Sequence, residues 1–418
     1  MKKAKVLTLA AGQKGKNAAS QVPAIELNAK LVLIQQLIPI ALEHVNEILQ
    51  EEVSQLAGPR YSHNDENKHL QRWGSQRGSV YLAEQKVPIK VPRVRDTQKG
   101  QEVQLQNYQA LQVPQEGDER IFLKILDGLS CRKFHRTARL VPEAFGLSRS
   151  TISRRFIRTS AKKLHDLLHR RLDDHEFVAL VLDGKTLRKA QMIIALGITI
   201  SGEKMILGFI ESATENGRVA GEFVQHLIDR GLRYQQGLLA IVDGSKALRK
   251  AIADKLGDYA VIQRCQWHKR ENVVSYLSAS QKVDWRRKLQ QAYEQPTYDK
   301  AKQELLRLRR ELKQINQSAA NSLGEGLEET LTLHRLGLFK ELGVSLKTTN
   351  SLESINSQVE RMTAKVSHWR NSEQRQRWVA SALLEVEPRL RRVKGYRHLP
   401  QLQKSLQREL KIEVALAA

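Results

Sequence analysis

The chain has 418 residues, with 69 Lys or Arg against 45 Asp or Glu, a formal net charge of +24. This length exceeds one ordinary domain and a 41% apolar share can fill real cores, which excludes a disordered chain or a lone small module. The charge favours a polyanionic partner, because each cation laid on a phosphate releases counterions; Cys131 and Cys265 alone exclude a disulfide framework.

Residues 1–57 are read as a basic arm, 1–22, followed by a helical segment. Apolar spacing from Ile25 to Leu56 is helical, and Pro39 is expected to break it into two helices. This segment is apolar on more than one side, as in a helical bundle or a dimer contact. Leu31–Leu42 is too short for the ~20 apolar residues of a membrane span, and no signal peptide is visible. A cytoplasmic protein without membrane contact is expected.

Residues 58–118 change character. Short alternating pieces such as Val87–Arg95 carry Pro88 and Pro92, which argue for edge or extended strands. Arg60, Lys68, Arg72, Arg77, Lys86, Lys90, Arg93 and Arg95 line this segment. A DNA-contacting ribbon and a solvated hairpin are both open. Residues 119–172 read as a helix-turn-helix domain. Thr137–Phe145 is the first helix, Gly146 the turn, and Ser148 the N-cap of Arg149–Ile157. Arg149, Ser150, Thr151, Arg154 and Arg155 make the second helix a candidate DNA reader.

Residues 173–275 turn to strands. Phe177–Leu182, Met192–Ile200 and Met205–Ser212 form a meander, then Gly217–Leu232 and Ser245–Leu256 alternate as helices with the strands Leu238–Val242 and Tyr259–Arg264. This predicts an α/β core, a mixed sheet with helices on both faces. Residues 276–345 are purely helical and form an all-α insertion; residues 346–418 are helical and basic, with Arg389, Arg391, Arg392, Lys394 and Arg397 near the end.

The chemistry concentrates after apolar strands. Asp183 follows one such run and Asp243 another, each before a glycine, where ligands bind in open α/β sheets. Carboxylate oxygens suit hard Mg²⁺ or Mn²⁺, and paired ions serve in-line displacement at phosphorus. Glu353 is the best third carboxylate. Cys265 and His268 stand close together, but structural zinc needs four ligands and no second pair is near.

Together, Asp183-Gly, the stretch Ile193–Gly208, Asp243-Gly, Gln263-Arg-Cys-Gln-Trp-His-Lys269 with Asn272, and Thr348-Thr-Asn-Ser-Leu-Glu353 resemble the Mutator-like DDE transposases of bacterial insertion sequences. Val91-Pro-Arg-Val-Arg95 resembles a further phrase of that family. The resemblance implies a ribonuclease H-like core and makes Asp183, Asp243 and Glu353 a Mg²⁺-binding catalytic triad, with Mn²⁺ able to substitute. Cys265 and His268 match its Cys-x-x-His signature and, with Arg264 and Asn350, would support the site or contact DNA. Segment 354–361 is less Arg-rich than is usual there, a departure that bears on local DNA contacts, and Glu360 is the less favoured alternative to Glu353 as third carboxylate.

The implied partner is double-stranded DNA, both element ends and target, bound by a homodimer and drawing the protein to the nucleoid. A structure-specific ribonuclease H-like nuclease and a domesticated, non-catalytic DNA-binding protein are the alternatives.

Overall fold

The computed structural model describes residues 24–61, 69–82, 85–112, 117–131, 134, 148–187, 190–212 and 216–412, with side chains from Pro39 onward in the first helix. The chain divides into two units, residues up to 117 in one and 118–134 with 148–412 in the other. The basic arm 1–22, Lys68 and the first helix and turn of the expected helix-turn-helix lie outside the described residues.

In the first unit, α1 (Ala24–Ala57) is one continuous helix. The expected break at Pro39 does not occur: a proline removes one hydrogen bond of a ladder that the rest of this 34-residue helix maintains. Val45, Leu49 and Val53 recur every fourth residue and pack on Val80, Val91 and Val94 of the sheet. That sheet is antiparallel, in the order β1 (Leu70–Leu82), β2 (Gln85–Asp96), β3 (Gln101–Val103). Pro88 and Pro92 therefore sit in the central strand, not an edge one. They are accommodated because β3 covers only Val94–Asp96, so both prolines lie where β2 pairs on one side alone. The short helix α2 (Gln106–Gln112) follows.

The second unit opens with α3 (Gly117–Leu126) and α4 (Arg149–His169), the latter capped by Ser148. Its sheet has the order β6-β5-β4-β7-β8. Strands β4 (Phe177–Leu187), β5 (Ala190–Thr199) and β6 (Lys204–Ser212) form an antiparallel meander; β7 (Leu238–Val242) and β8 (Ala260–Arg264) continue it in parallel with β4.

Alternation along the strands assigns the two faces. Leu180, Leu182, Ala240 and Val242 point to one side, under α5 (Gly217–Asp229) and α6 (Lys246–Leu256). Ala179, Val181, Leu239 and Ile241 point to the other. After α7 (Gln266–Ser275), the helices α8 (Ala279–Tyr293), α9 (Tyr298–Ile315) and α10 (Gln317–Gly324) close over their own core, which runs from Val273 to Leu331.

From Leu333 onward the chain rejoins the sheet, so the insertion is shorter than its helical pattern suggests. Helices α11 (Phe339–Leu346), α12 (Asn350–Thr363), α13 (Ser372–Val386) and α14 (Leu399–Glu409) cover the second face. No described helix is long and apolar enough to cross a membrane.

Candidate active site

The parallel pairing of β4 with β7 ends at Leu182↔Val242, which makes Asp183 and Asp243 the next residue on each of two adjacent strands. By alternation Asp183 shares a face with Val181, and Asp243 continues the face of Ile241. That face lies under α12, whose Leu352, Ile355 and Val359 enter the core and whose first turn carries Glu353. Asp183 is only 5% exposed. Burial, then the charges of Asp243 and Glu353, raise its pKa to about 7, against the opposing effect of His268. Asp243 Oδ1 accepts from the Ser245 N–H at 2.9 Å, which fixes the turn into α6.

Cys265 starts α7 directly after β8, and its N–H donates to Val242 O at 2.7 Å, the residue before Asp243. Its thiol is fully buried and accepts from Thr349 Oγ1 at 3.8 Å. Thr349 Oγ1 also stands 3.4 Å from His268 Nδ1, and His268 Nε2 stands 3.7 Å from Glu353 Oε1. Burial opposes a charge on His268, but the Cys265 sulfur and the carboxylates Asp183 and Asp243 outweigh it and raise the imidazole to about 9. Glu353 Oε1 is enclosed yet has no hydrogen-bond partner. Among the described residues, no three His, Cys, Asp or Glu side chains are gathered tightly enough to hold a metal ion.

Behind this cluster, Arg264 and Lys269 are both buried. Arg264 Nη1 donates to Glu325 O at 3.1 Å, and Lys269 Nζ reaches the same carbonyl. Burial, then the Arg264 cation, pull Lys269 down to about 8. Gln263 and Gln266 each donate to Thr330 O, at 3.0 and 2.9 Å. These bonds fasten the return of the helical insertion to β8. Glycine is required on both sides of Arg264: a Cβ at Gly244 or Gly326 would come within 2.6 or 2.5 Å of its guanidinium.

The sequence matches the family described as Transposase, Mutator family, over residues 14–391. The chain belongs to the Mutator family of transposases. It is 24% identical over 362 residues to the transposase for insertion sequence element IS256 in transposon Tn4001 of Staphylococcus aureus, spanning 82% of this chain and 87% of that one. With the transposase for ISRM5 of Rhizobium meliloti it shares 26% over 357 residues, 82% of this chain and 85% of that one. The match to the transposase for IS905 of Lactococcus lactis is 27% over 220 residues, 51% of this chain and 55% of that one.

In this Mutator-family chain the candidate residues have unequal surroundings. Asp183, Asp243, Cys265, His268 and Glu353 come together, and Arg264 stands behind the Asp243 turn. Asn350 is exposed at the first position of α12, whereas Thr349, beside it in the motif, makes the contacts to Cys265 and His268. Glu360 lies exposed two turns on and pairs with Lys185 at 3.3 Å.

Three residues went unrecognised in the sequence. Thr349 is one, and Lys269, which reads as an ordinary surface cation, is another. Asn356 is buried one turn after Glu353 with its Oδ1 unpartnered; only its place in the Glu353 helix could have marked it.

Of the candidate DNA-contacting residues, Arg149, Ser150 and Arg154 are exposed at the start of α4, and Thr151 is half-buried. Arg155 is buried and bonded to Asp118, with Phe156 beside it packing against Trp378 at 5.0 Å, so Arg155 belongs to the core of its unit and not to a DNA-reading face. In the other unit Arg93 forks onto Glu102 at 2.8 and 2.7 Å, while Arg95 stacks over Trp73 at 4.8 Å. Arg72 ties β1 to α1 through Gly58 O, Gln50 and Ser54.

Proposed function

We propose that this chain is a DDE transposase that binds the terminal inverted repeats of an insertion sequence, cuts DNA there and joins the freed end to target DNA. The observation that carries this reading is the placement of Asp183 and Asp243 at one level of adjacent parallel strands, with Glu353 above them. The strand order, an antiparallel meander extended in parallel by β7 and β8, supports a ribonuclease H-like core.

The chemistry of the donors suits a divalent cation, which would have to draw the three carboxylates closer together than they stand here. The donors are hard carboxylate oxygens, Glu353 Oε1 lacks a partner, and burial, then the charges of Asp243 and Glu353, raise Asp183, a cost that a cation would relieve. Asp183, Asp243 and Glu353 would hold Mg²⁺, or Mn²⁺ in its place, sharing it with water and phosphate oxygens. When bound, the metal supplies activation of the attacking oxygen and stabilisation of the leaving one.

The chain's other residues prepare that site. His268 sets Glu353 and offsets part of the carboxylate charge. Thr349 holds His268, and the Cys265 N–H holds the strand end before Asp243. Burial around Asp183 limits water. Exposed Arg149 and Arg154 offer cations to phosphates outside the reacting centre, and assembly of two copies on paired ends would bring both ends to one target.

The test is to incubate the protein and Mg²⁺ with DNA carrying any inverted repeats that flank the coding sequence. End-specific cuts joined to a second DNA support a transposase. Nicks confined to branched DNA without joining support a structure-specific nuclease, and binding without cutting supports a non-catalytic protein.

A further inference from the structure

Arg264 touches both the turn that carries Asp243 and the chain returning from the helical insertion. It ends β8 opposite Val242, the residue before Asp243. Its Nε, Nη2 and Cζ would stand 2.6, 2.8 and 3.0 Å from a Cβ on Gly244, and its Nη1 2.5 Å from one on Gly326. One guanidinium is therefore wedged between two glycines, the first directly after Asp243 and the second two residues past α10.

The insertion side of this wedge is stiff. Arg264 Nη1 and Lys269 Nζ both donate to Glu325 O, and the Glu325 carboxylate lies beyond at 3.7 and 3.9 Å. Both cations are buried, at 5% and 0% exposure. Moving Glu325 away would take that acceptor from two buried charges, so the return of the insertion and the guanidinium move together. The Arg249–Glu329 pair, at 2.9 Å, also joins α6 to this region, but Arg249 is exposed and solvent screens it. At the other side, Gly244 leads into the Ser245 N–H that holds Asp243 Oδ1 at 2.9 Å.

We propose that the helical insertion sets the position of the Asp243 carboxylate through Arg264, so that displacing the insertion weakens the site's hold on a divalent cation. Arg264 is then a positioning residue that acts through the Gly244 backbone. The metal part of this inference rests on the transposase reading above; the mechanical part does not.

A double-mutant cycle in the full chain, Gly326→Ala against Arg264→Ala, provides the test. Gly337→Ala is the control: Gly337 has a φ of +74°, close to the +62° of Gly326, but a Cβ on it meets nothing within 4 Å. The readouts are hydrogen exchange of segment 244–248 and the Mg²⁺ concentration that gives half-maximal cleavage of an inverted-repeat duplex. Gly326→Ala should speed that exchange about 3- to 30-fold and raise the Mg²⁺ requirement by a similar factor. Gly337→Ala should leave both within about twofold of wild type. In an Arg264→Ala chain, which lacks the wedge, adding Gly326→Ala should change neither by more than about twofold. If Arg264→Ala does not fold, Arg264→Lys, which keeps the cation without the planar fork, takes its place.

Unchanged exchange in Gly326→Ala, an equal effect of Gly326→Ala with and without Arg264, or an unchanged Mg²⁺ requirement in a chain that cleaves overturns the proposal. If wild type cuts no duplex, the transposase reading fails, and exchange of segment 244–248 alone decides whether Arg264 links the insertion to the Asp243 turn.

Discussion

Replacing Asp183 by Asn should stabilise the metal-free protein, although the same change removes a reacting group. Asp183 is buried beside Asp243 and Glu353, and its pKa stands at about 7 against an ordinary 3.8. A carboxyl raised in this way stabilises the fold fully below its unfolded pKa and loses that contribution as pH climbs through about 7. Carrying it from 3.8 to about 7 corresponds to about 4 kcal/mol at pH 8. That is an upper figure, since neighbouring water and side chains relax.

At roughly 2 °C per kcal/mol for a unit of this size, Asp183→Asn should melt several degrees higher than wild type at pH 8 in chelator, up to about 8 °C. At pH 5 the gap should shrink by more than half, because Asp183 is then protonated in the fold. Mg²⁺ at pH 8 should raise the melting temperature of wild type and leave Asp183→Asn nearly unmoved. Thermal melts at the two pH values, with and without Mg²⁺, measure all of this. A variant that melts no higher than wild type at pH 8, with the same pH dependence, would refute the electrostatic argument.

Gly244→Ala places a Cβ within 2.6 Å of Arg264 at a backbone φ of +115°, so it should cost about 1–3 kcal/mol and slow cleavage by shifting the Asp243 turn; a melt and a cleavage assay check both. Arg155→Ala leaves Asp118 to Arg158 alone and removes a buried charge-assisted hydrogen bond, so it should destabilise by about 1.5–3 kcal/mol, read in a urea melt; an unchanged melt would return Arg155 to the surface. Arg149→Ala should leave stability alone, weaken end binding and lower the salt dependence of DNA affinity by about one counterion, read by titration at several salt concentrations.

The sheet was legible because its signals are local. Leu238–Val242 is an uninterrupted apolar run ending in Asp-Gly, and it is β7 residue for residue. In contrast, β4 does not stop at Leu182 but continues through Asp183 to Leu187, because β5 pairs with it along that length. Cross-strand register decides that, and no single segment carries it. Pro39 misled for a similar reason, since the hydrogen bonds around it belong to the whole helix.

In the site, both aspartates could be found from the ends of apolar runs. The roles of Thr349, Lys269 and Arg155 could not, because threonine and basic residues are ordinarily exposed. Each is buried here by a partner distant in sequence: Thr349 by Cys265, Lys269 by Glu325 and Arg155 by Asp118.

The central claim is that Asp183, Asp243 and Glu353 act as one metal-dependent centre on DNA. The most direct measurement is Mg²⁺-dependent cleavage and joining of an inverted-repeat duplex by wild type, Asp183→Asn, Asp243→Asn and Glu353→Gln, with end binding measured in parallel. The account predicts that all four bind the ends comparably and that only wild type yields cut and joined DNA. Cleavage at the wild-type rate by any one of the three variants, or cleavage by wild type that persists in chelator, would contradict it.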